Sequence, residues 1–379
     1  MTNKTQVYLD YAAATPMDGR VLAAMQPYYT DNFYNPSATY LNAGNVAKDL
    51  QKARESTARW LGARPAEILF TAGGTEANNL AVQGIMRQYP DANIVVSAIE
   101  HESVLASAAI FDCRIAPVNE KGVVDVEKLA DLIDDKTVLV SVMYANNEVG
   151  TIQPIKDIAQ IIKQKQSART QYLPLYFHTD AAQAANYLDL HVSRLGVDLM
   201  TLNGGKIYGP KQSGALFVGS QVELQPLIYG GGQERGLRSG TENVAAAIGF
   251  STALEIAQTI RHEETARLQE LQDYFIRQLQ EKIPRIIFNG STKKRLPNNV
   301  HITIPSADNE RLIFQLDESG IMAAAGSACS ASNDEPSHVL RAMGFSDDDA
   351  RASLRFTMGR ATTKRDIEHA VTALQTALT

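Results

Sequence analysis

Two short apolar runs each end on a polar residue that could do chemistry. Leu175–His178 leads into Asp180 and Gln183 within HTDAAQ, and Leu199–Leu202 leads into Lys206 within the turn NGGKIYGPK. A carboxylate and an amine at neighbouring strand ends suit pyridoxal phosphate. The aldehyde of that cofactor takes a lysine as a Schiff base, and its pyridine nitrogen needs an anion to stay protonated and draw electrons. Spacing alone is weak support, because most lysines are solvated surface groups.

Further candidates follow other apolar runs. TAGGTEANNLAV (Thr71–Val82) reads as a strand end, a glycine pair and a helix start. Gly74 and Thr75 could cradle a phosphate there, since glycine permits close backbone approach and a helix amino terminus supplies free N–H groups. His101, in IEHES, could stack on a ring and move protons. Asn147, in YANNEVG, could donate to a ring hydroxyl or to substrate, although an Asn-Asn pair on its own is more often a turn. GGGQERGLRSGTEN (Gly230–Asn243) is either a surface loop or a strap against a phosphate or partner chain, with Arg235, Arg238 and Thr241 as donors. Cys329 sits in AAAGSACSAS, among residues too small to bury it, which makes a reactive thiol at least as good a reading as a packed one. No histidine or second cysteine flanks it, which excludes a CxxC redox motif and the usual zinc spacing, so no metal is expected. Arg355, on the apolar run ASLRFTMG, wants an anion, and an amino-acid α-carboxylate is its natural bidentate partner.

These residues need a scaffold. Short apolar runs (Ile68–Phe70, Ile94–Ser97, Val138–Met143, Leu175–His178, Leu199–Leu202, Ala215–Val218) alternate with helical spacing, as at Ile155, Ile158, Ala159 and Ile162. That alternation predicts an α/β fold with a largely parallel sheet covered by helices on both faces. Ligands of such sheets sit at the carboxyl ends of strands, where Thr75, His101, Asn147, Asp180 and Lys206 all fall. A long polar helix over Val244–Lys282 leads to an α+β remainder: strands at Arg285–Phe288, Val300–Ile304 and Ser353–Thr357, and a helix at Asn309–Glu318. A final helix follows, with a capping box at Thr363 and Asp366. The expected division is a large cofactor-binding domain over 16–258 and a small domain made of 1–15 and 259–379, the latter carrying the Cys329 loop.

Bulk properties narrow the classes. At 379 residues the chain is long enough for two domains, and a net charge of -6 argues against direct nucleic-acid or membrane-surface binding. Two cysteines cannot form a disulfide framework, and no apolar stretch approaches the ~20 residues of a membrane helix. The amino terminus shows no basic region followed by an apolar run, so a cytoplasmic protein without a secretory signal is expected.

Taken together, TAGGTEANN, IEH, NNEVG, HTDAAQ, GGKIYGPK, GGGQERGLRSGT, GSAC and SLRF resemble the cysteine desulfurases, fold-type I pyridoxal-phosphate enzymes. The likeness is to the branch serving iron–sulfur clusters and thiolated tRNA, and it runs nearly the whole chain. The resemblance implies that Lys206 carries the cofactor, His101 stacks on its ring, and Asp180 and Gln183 contact the pyridine nitrogen and phenolic oxygen. It implies that Thr75 binds the phosphate, joined by Thr241 from the other subunit of a homodimer. It further implies that Cys329 receives the sulfur of L-cysteine as a persulfide, that Asn147 and Arg355 hold the substrate, and that a cluster scaffold or tRNA-thiolating enzyme accepts the sulfur. The chain departs from the family where Ser-Gly-His-Lys is usual and Asn203, Gly204, Gly205 and Lys206 stand instead. Tyr144 and Tyr40 also replace histidines, and the chain stops soon after its last helix, without the tail by which cluster-assembly relatives engage their scaffold. Asn203 can still donate to a phosphate, but Gly205 removes an imidazole, so looser cofactor retention is expected. A selenocysteine lyase, another pyridoxal-phosphate lyase or an idle homologue kept as a binding partner are the alternative readings.

Overall fold

The computed structural model describes residues 6–169, 173–325 and 335–379. Seven strands form the central sheet: β1 (Ile68–Thr71), β2 (Asn93–Ser97), β3 (Asp112–Ala116), β4 (Thr137–Ser141), β5 (Tyr176–Asp180), β6 (Leu199–Asn203) and β7 (Gly214–Val218). Their spatial order is β1-β7-β6-β5-β4-β2-β3, with every neighbouring pair parallel except the two that involve β7. Strands β2, β4, β5 and β7 are buried at every residue, which is why each reads in sequence as a continuous apolar run and not as an alternation. Apolar clusters fill both faces, one around Phe177, Met200 and Phe250, the other around Leu80, Ile85 and Ile94.

The second sheet comprises β8 (Ile287–Phe288), β9 (Asn299–Thr303) and β10 (Ser353–Thr357), antiparallel in the order β10-β9-β8. Val7–Tyr8 pairs in parallel with Ile321–Met322, which brings the amino terminus onto this side of the molecule. A separate core of Leu268, Phe275, Val300, Phe356 and Leu374 lies here. The helix Val244–Lys282 serves both cores, burying Val244, Phe250 and Leu254 at one end and Leu268, Phe275 and Leu279 at the other.

The expected strands and long helices all form. The final helix, Lys364–Ala377, begins at the Thr363/Asp366 capping box. Strand β3 went unread because it is an edge: Asp112, Cys113, Arg114 and Ile115 stay partly or largely exposed, so no apolar run marks it. The strand expected from Arg285 starts only at Ile287, because Arg285 adopts φ 60, a left-handed conformation outside the strand region.

Candidate active site

The carboxyl ends of β1, β2, β4, β5 and β6 converge on a cavity of about 250 Å³. Gly74, Thr75, His101, Asn147, Asp180, Gln183, Asn203, Lys206 and Arg355 all line it. Thr241 is exposed and outside that lining, and Cys329 lies outside the described residues.

At one end, the helix Gly74–Met86 opens with Gly73 as its N-cap, so no side chain satisfies its first N–H groups. Gly73 has φ 126, a conformation that side-chain-bearing residues rarely adopt. Asn203 adjoins this end. Its Oδ1 accepts from the Gly205 N–H (3.0 Å), and its Nδ2 faces Gly74, where an added Cβ would lie 3.3 Å away. The result is a small anion cradle of backbone N–H groups, the Thr75 hydroxyl and one side-chain amide.

Asp180, 6% exposed, is held by two donors: Asn78 Nδ2 reaches Oδ2 at 2.7 Å and the Ala182 N–H reaches Oδ1 at 2.9 Å. Asn78 also donates to Ser103 Oγ at 2.8 Å. His101 Nδ1 accepts from the Ser103 N–H at 3.1 Å and lies 2.8 Å from Ser103 Oγ. A nitrogen that accepts from a backbone amide carries no proton, so the ring's hydrogen is on Nε2. Lys206 Nζ donates to the carbonyls of Ala12 (2.9 Å) and Ala13 (2.6 Å), and Gln183 Nε2 donates to Ala12 as well (3.0 Å). The YLDYAAATP segment thus closes one wall of the cavity. Two residues beyond Lys206, Tyr208 has φ 62, a strained conformation fixed by its N–H to Thr15 Oγ1 (2.8 Å) and by Arg360 stacked 3.9 Å from its ring centroid.

Arg355 comes to the cavity from β10, with its side chain 2% exposed. Sequence reasoning expected an anion beside it. The anion within the chain is Asp10, 2.7 Å from Nη2, and Nη1 donates to the Asn147 carbonyl at 3.1 Å. Behind it on β9, His301 pairs in register with Arg355, and burial holds that imidazole neutral with its pKa lowered to about 3. The Asn pair divides its work. Asn146 makes the turn, its Oδ1 accepting from Glu148 and Val149, while Asn147 faces the cavity.

Glu100 was not foreseen. It is fully buried beside His101, with Oε1 accepting from the Met143 N–H at 2.6 Å. Burial pushes its carboxyl well above the usual carboxylate range, reinforced by the Asp180 charge, which favours the protonated acid. Asn78 and Asp10 were also missed. Asn78 had a readable signal, since it follows Gly74 by four residues and so shares its helix face. Asp10 had none, because only the chain trace brings it to Arg355. Tyr144 is 9% exposed and packs in the main core, outside the cavity lining, so that replacement of a histidine is a core substitution here. Of the Gly-rich loop's cations, Arg238 binds Glu76 (2.8 Å) and Arg235 donates to the Ile68 carbonyl (2.9 Å), and neither lines the cavity.

The donor set fits pyridoxal phosphate. An uncapped helix end suits a phosphate, a buried carboxylate already supplied with two donors suits a protonated ring nitrogen, and a lysine suits the aldehyde. The volume is near the lower end of small-ligand pockets, which span roughly 300–1,000 Å³.

Residues 7–369 match the aminotransferase class-V family. A protein from Dictyoglomus turgidum named cysteine desulfurase IscS is 40% identical, over 98% of this chain and 94% of its own length. One of the same name from Methanosarcina thermophila is 42% identical, over 97% of this chain and 90% of its own length. A solved NifS-like protein superposes with a TM-score of 0.91 at 31% identity, over 99% of both chains. With a class-V match over nearly its whole length and relatives of this identity, the chain belongs to the aminotransferase class-V family and, within it, to the pyridoxal-phosphate-dependent cysteine desulfurases.

Proposed function

We propose that the chain converts L-cysteine to L-alanine and moves the sulfur onto Cys329 as a persulfide. The observation that carries this reading is the convergence of Lys206, Asp180, His101, Thr75 and Arg355 on one cavity. Asp180 and Gln183 would hold the ring of pyridoxal phosphate, Thr75, Gly74 and Asn203 its phosphate, and Lys206 its aldehyde carbon. When bound, that cofactor supplies an electron sink for the substrate α-carbon. Arg355, with Asn147, binds the substrate α-carboxylate, which fixes where the α-carbon and thiol stand relative to Lys206 and His101. Lys206 takes the α-proton and returns one to the product, and His101, whose Nε2 bears the ring hydrogen, can donate that N–H to the substrate sulfur. The Cys329 thiolate bonds to the substrate sulfur. The carbon–sulfur bond breaks with its electron pair left on carbon, which is protonated to alanine, so no outside oxidant or reductant is consumed.

We also propose a homodimer in which Thr241 serves the partner's phosphate site. Large apolar side chains lie exposed in the segment that carries Tyr29 (61%), Phe33 (66%) and Leu41 (79%), and again at Tyr229 (74%), a surface that supports burial against a second copy. The two separate cores support a division into 16–258 and 1–15 with 259–379. A cytoplasmic location and delivery to a cluster scaffold or tRNA-thiolating enzyme complete the reading. No helix of the described residues is long and apolar enough to cross a membrane.

The test is a spectrum of the purified protein, then titration with L-cysteine while alanine and bound sulfane sulfur are measured. Stoichiometric alanine and sulfane sulfur are expected. A coloured protein that releases no alanine refutes the activity, and sedimentation as a monomer refutes the dimer.

A further inference from the structure

A larger, open groove of about 1,200 Å³ lies apart from the catalytic cavity, between the helix Asn309–Glu318, the strand Ile321–Met322 and the helix Asp347–Arg351. Ile313, Phe314, Ile321 and Met322 give it an apolar side, and Phe314 leaves 64% of its surface exposed. Around that side, among the described residues, stand six carboxylates (Asp308, Glu310, Asp317, Glu335, Asp348, Asp349) against one lining cation, Arg351. Some of this charge is fixed in place: Asp308 caps the first helix by accepting from the Arg311 N–H, and Ser346 Oγ donates to Asp349 at 2.8 Å.

The groove and the catalytic cavity share a wall. Ala324 lines the groove, and it exchanges two backbone hydrogen bonds (2.7 and 3.1 Å) with Arg355, whose side chain lines the cavity. On the other flank Ser337 lines the groove and donates to Glu148, the neighbour of Asn147. Ala325, the last described residue of one rim, is four positions before Cys329 in the sequence. A protein seated here therefore rests against the wall whose other face carries Arg355 into the catalytic cavity.

We propose that this groove docks a basic, apolar-tipped segment of the protein that takes the sulfur. A large apolar side chain packs on Phe314 and Ile313, and flanking lysines or arginines meet the carboxylates. A nucleic acid is the wrong partner, because its phosphates would face six like charges. The proposal rests on reading the chain as a sulfur donor, and it adds the chemistry of the recipient's docking element.

The test uses the cofactor-loaded enzyme and a fluorescein-labelled eight-residue peptide of lysines around a Leu-Phe pair. A counterpart carries glutamate for every lysine. The basic peptide is expected to bind saturably and about tenfold more weakly at 200 mM than at 50 mM salt. Its affinity should fall at least tenfold in the Glu310→Lys/Asp317→Lys variant and about fivefold in Phe314→Ala, and the glutamate peptide should not bind. Alanine release with dithiothreitol as acceptor should be unchanged in both variants, none of these residues touching the catalytic cavity. Equal affinity in wild type and variants, or equal binding of the glutamate peptide, overturns the proposal. So does association beyond the dimer that the same variants abolish, which would assign the groove to a second copy. Peptide binding gained only when residues 327–333 are replaced by a Gly-Ser stretch would assign it to the chain's own segment and likewise overturn the proposal. Peptide binding without alanine release refutes the sulfur-donor reading and the recipient's identity with it; alanine release without saturable peptide binding refutes the groove alone.

Discussion

Replacing Asp10 with asparagine should tighten substrate binding instead of weakening it. The Arg355 guanidinium is almost wholly buried and lies 2.7 Å from Asp10, whose side chain is 19% exposed. A substrate carboxylate on the same guanidinium would stand about 5 Å from that of Asp10, and at an effective dielectric of ~20 the repulsion is about 3 kcal/mol. Screening through the exposed edge of Asp10 reduces this to about 1–2 kcal/mol, or roughly 5- to 30-fold in affinity. Asparagine keeps an oxygen to accept from Nη2, so the guanidinium stays oriented while the competing charge is gone. KM for L-cysteine should therefore fall about tenfold in Asp10→Asn, with kcat little changed, in steady-state alanine formation at low ionic strength. Asp10→Ala removes the acceptor as well and leaves a buried cation unpaired, at a cost of about 3–5 kcal/mol. At ~2.1 cal/mol/K per residue of unfolding entropy, that lowers Tm by about 5 °C. A KM for Asp10→Asn equal to or above that of the wild type, with Tm unchanged, would refute the competition argument.

Three further outcomes follow from the site and its supports. Cys329→Ser should abolish persulfide formation while the cofactor absorbance stays intact, and full sulfur transfer by that variant would exclude the thiol. Gly205→His should slow cofactor release by roughly tenfold, the worth of one hydrogen bond to a charged group. The site has room for a side chain, since a Cβ there meets only Asn203 Oδ1 at 3.4 Å and Lys211 at 3.6 Å, and equal off-rates in the two proteins would remove the idea. Finally, stability should drop on mild acidification. Burial lowers the His178 pKa to about 4 between Ser141 and Thr201, and the unfolded chain, titrating near 6.5, takes up a proton that the folded one refuses. The stabilisation is complete above about pH 6.5 and erodes by about 3 kcal/mol as pH falls toward 4, with His301 acting in the same direction. Tm measured from pH 7 to 4 should fall more steeply in wild type than in His178→Asn, and parallel slopes would contradict this.

Much of this site is written locally. Each strand of the sheet's interior is buried on both faces, so it stands out as an apolar run, and the residue just past each run is by topology at the ligand edge. That is why Thr75, His101, Asn147, Asp180 and Lys206 can be read from single segments. Arg355 was legible as an arginine in need of an anion, but its partner was not. Asp10 reaches it only because Val7–Tyr8 pairs with Ile321–Met322, a contact between residues more than three hundred positions apart. Glu100 escaped for a different reason. A glutamate beside a histidine looks like a surface pair until the fold shows that it is fully buried, which raises its pKa. The anchoring carbonyls of Ala12 and Ala13 carry no side-chain signal at all, since any residue has one.

The helix Val244–Lys282 has a mechanical consequence. At 1.5 Å per residue its 39 residues make a rod of about 58 Å, with one glutamine locked to each core: Gln258 to the Ala185 carbonyl, and Gln272 to those of Leu296 and Asn299. No hinge interrupts it, so neither half can loosen without transmitting torque to the other. Heat should accordingly dismantle the protein in a single calorimetric peak, and any swing of one half against the other must be spent as elastic bending of that shaft.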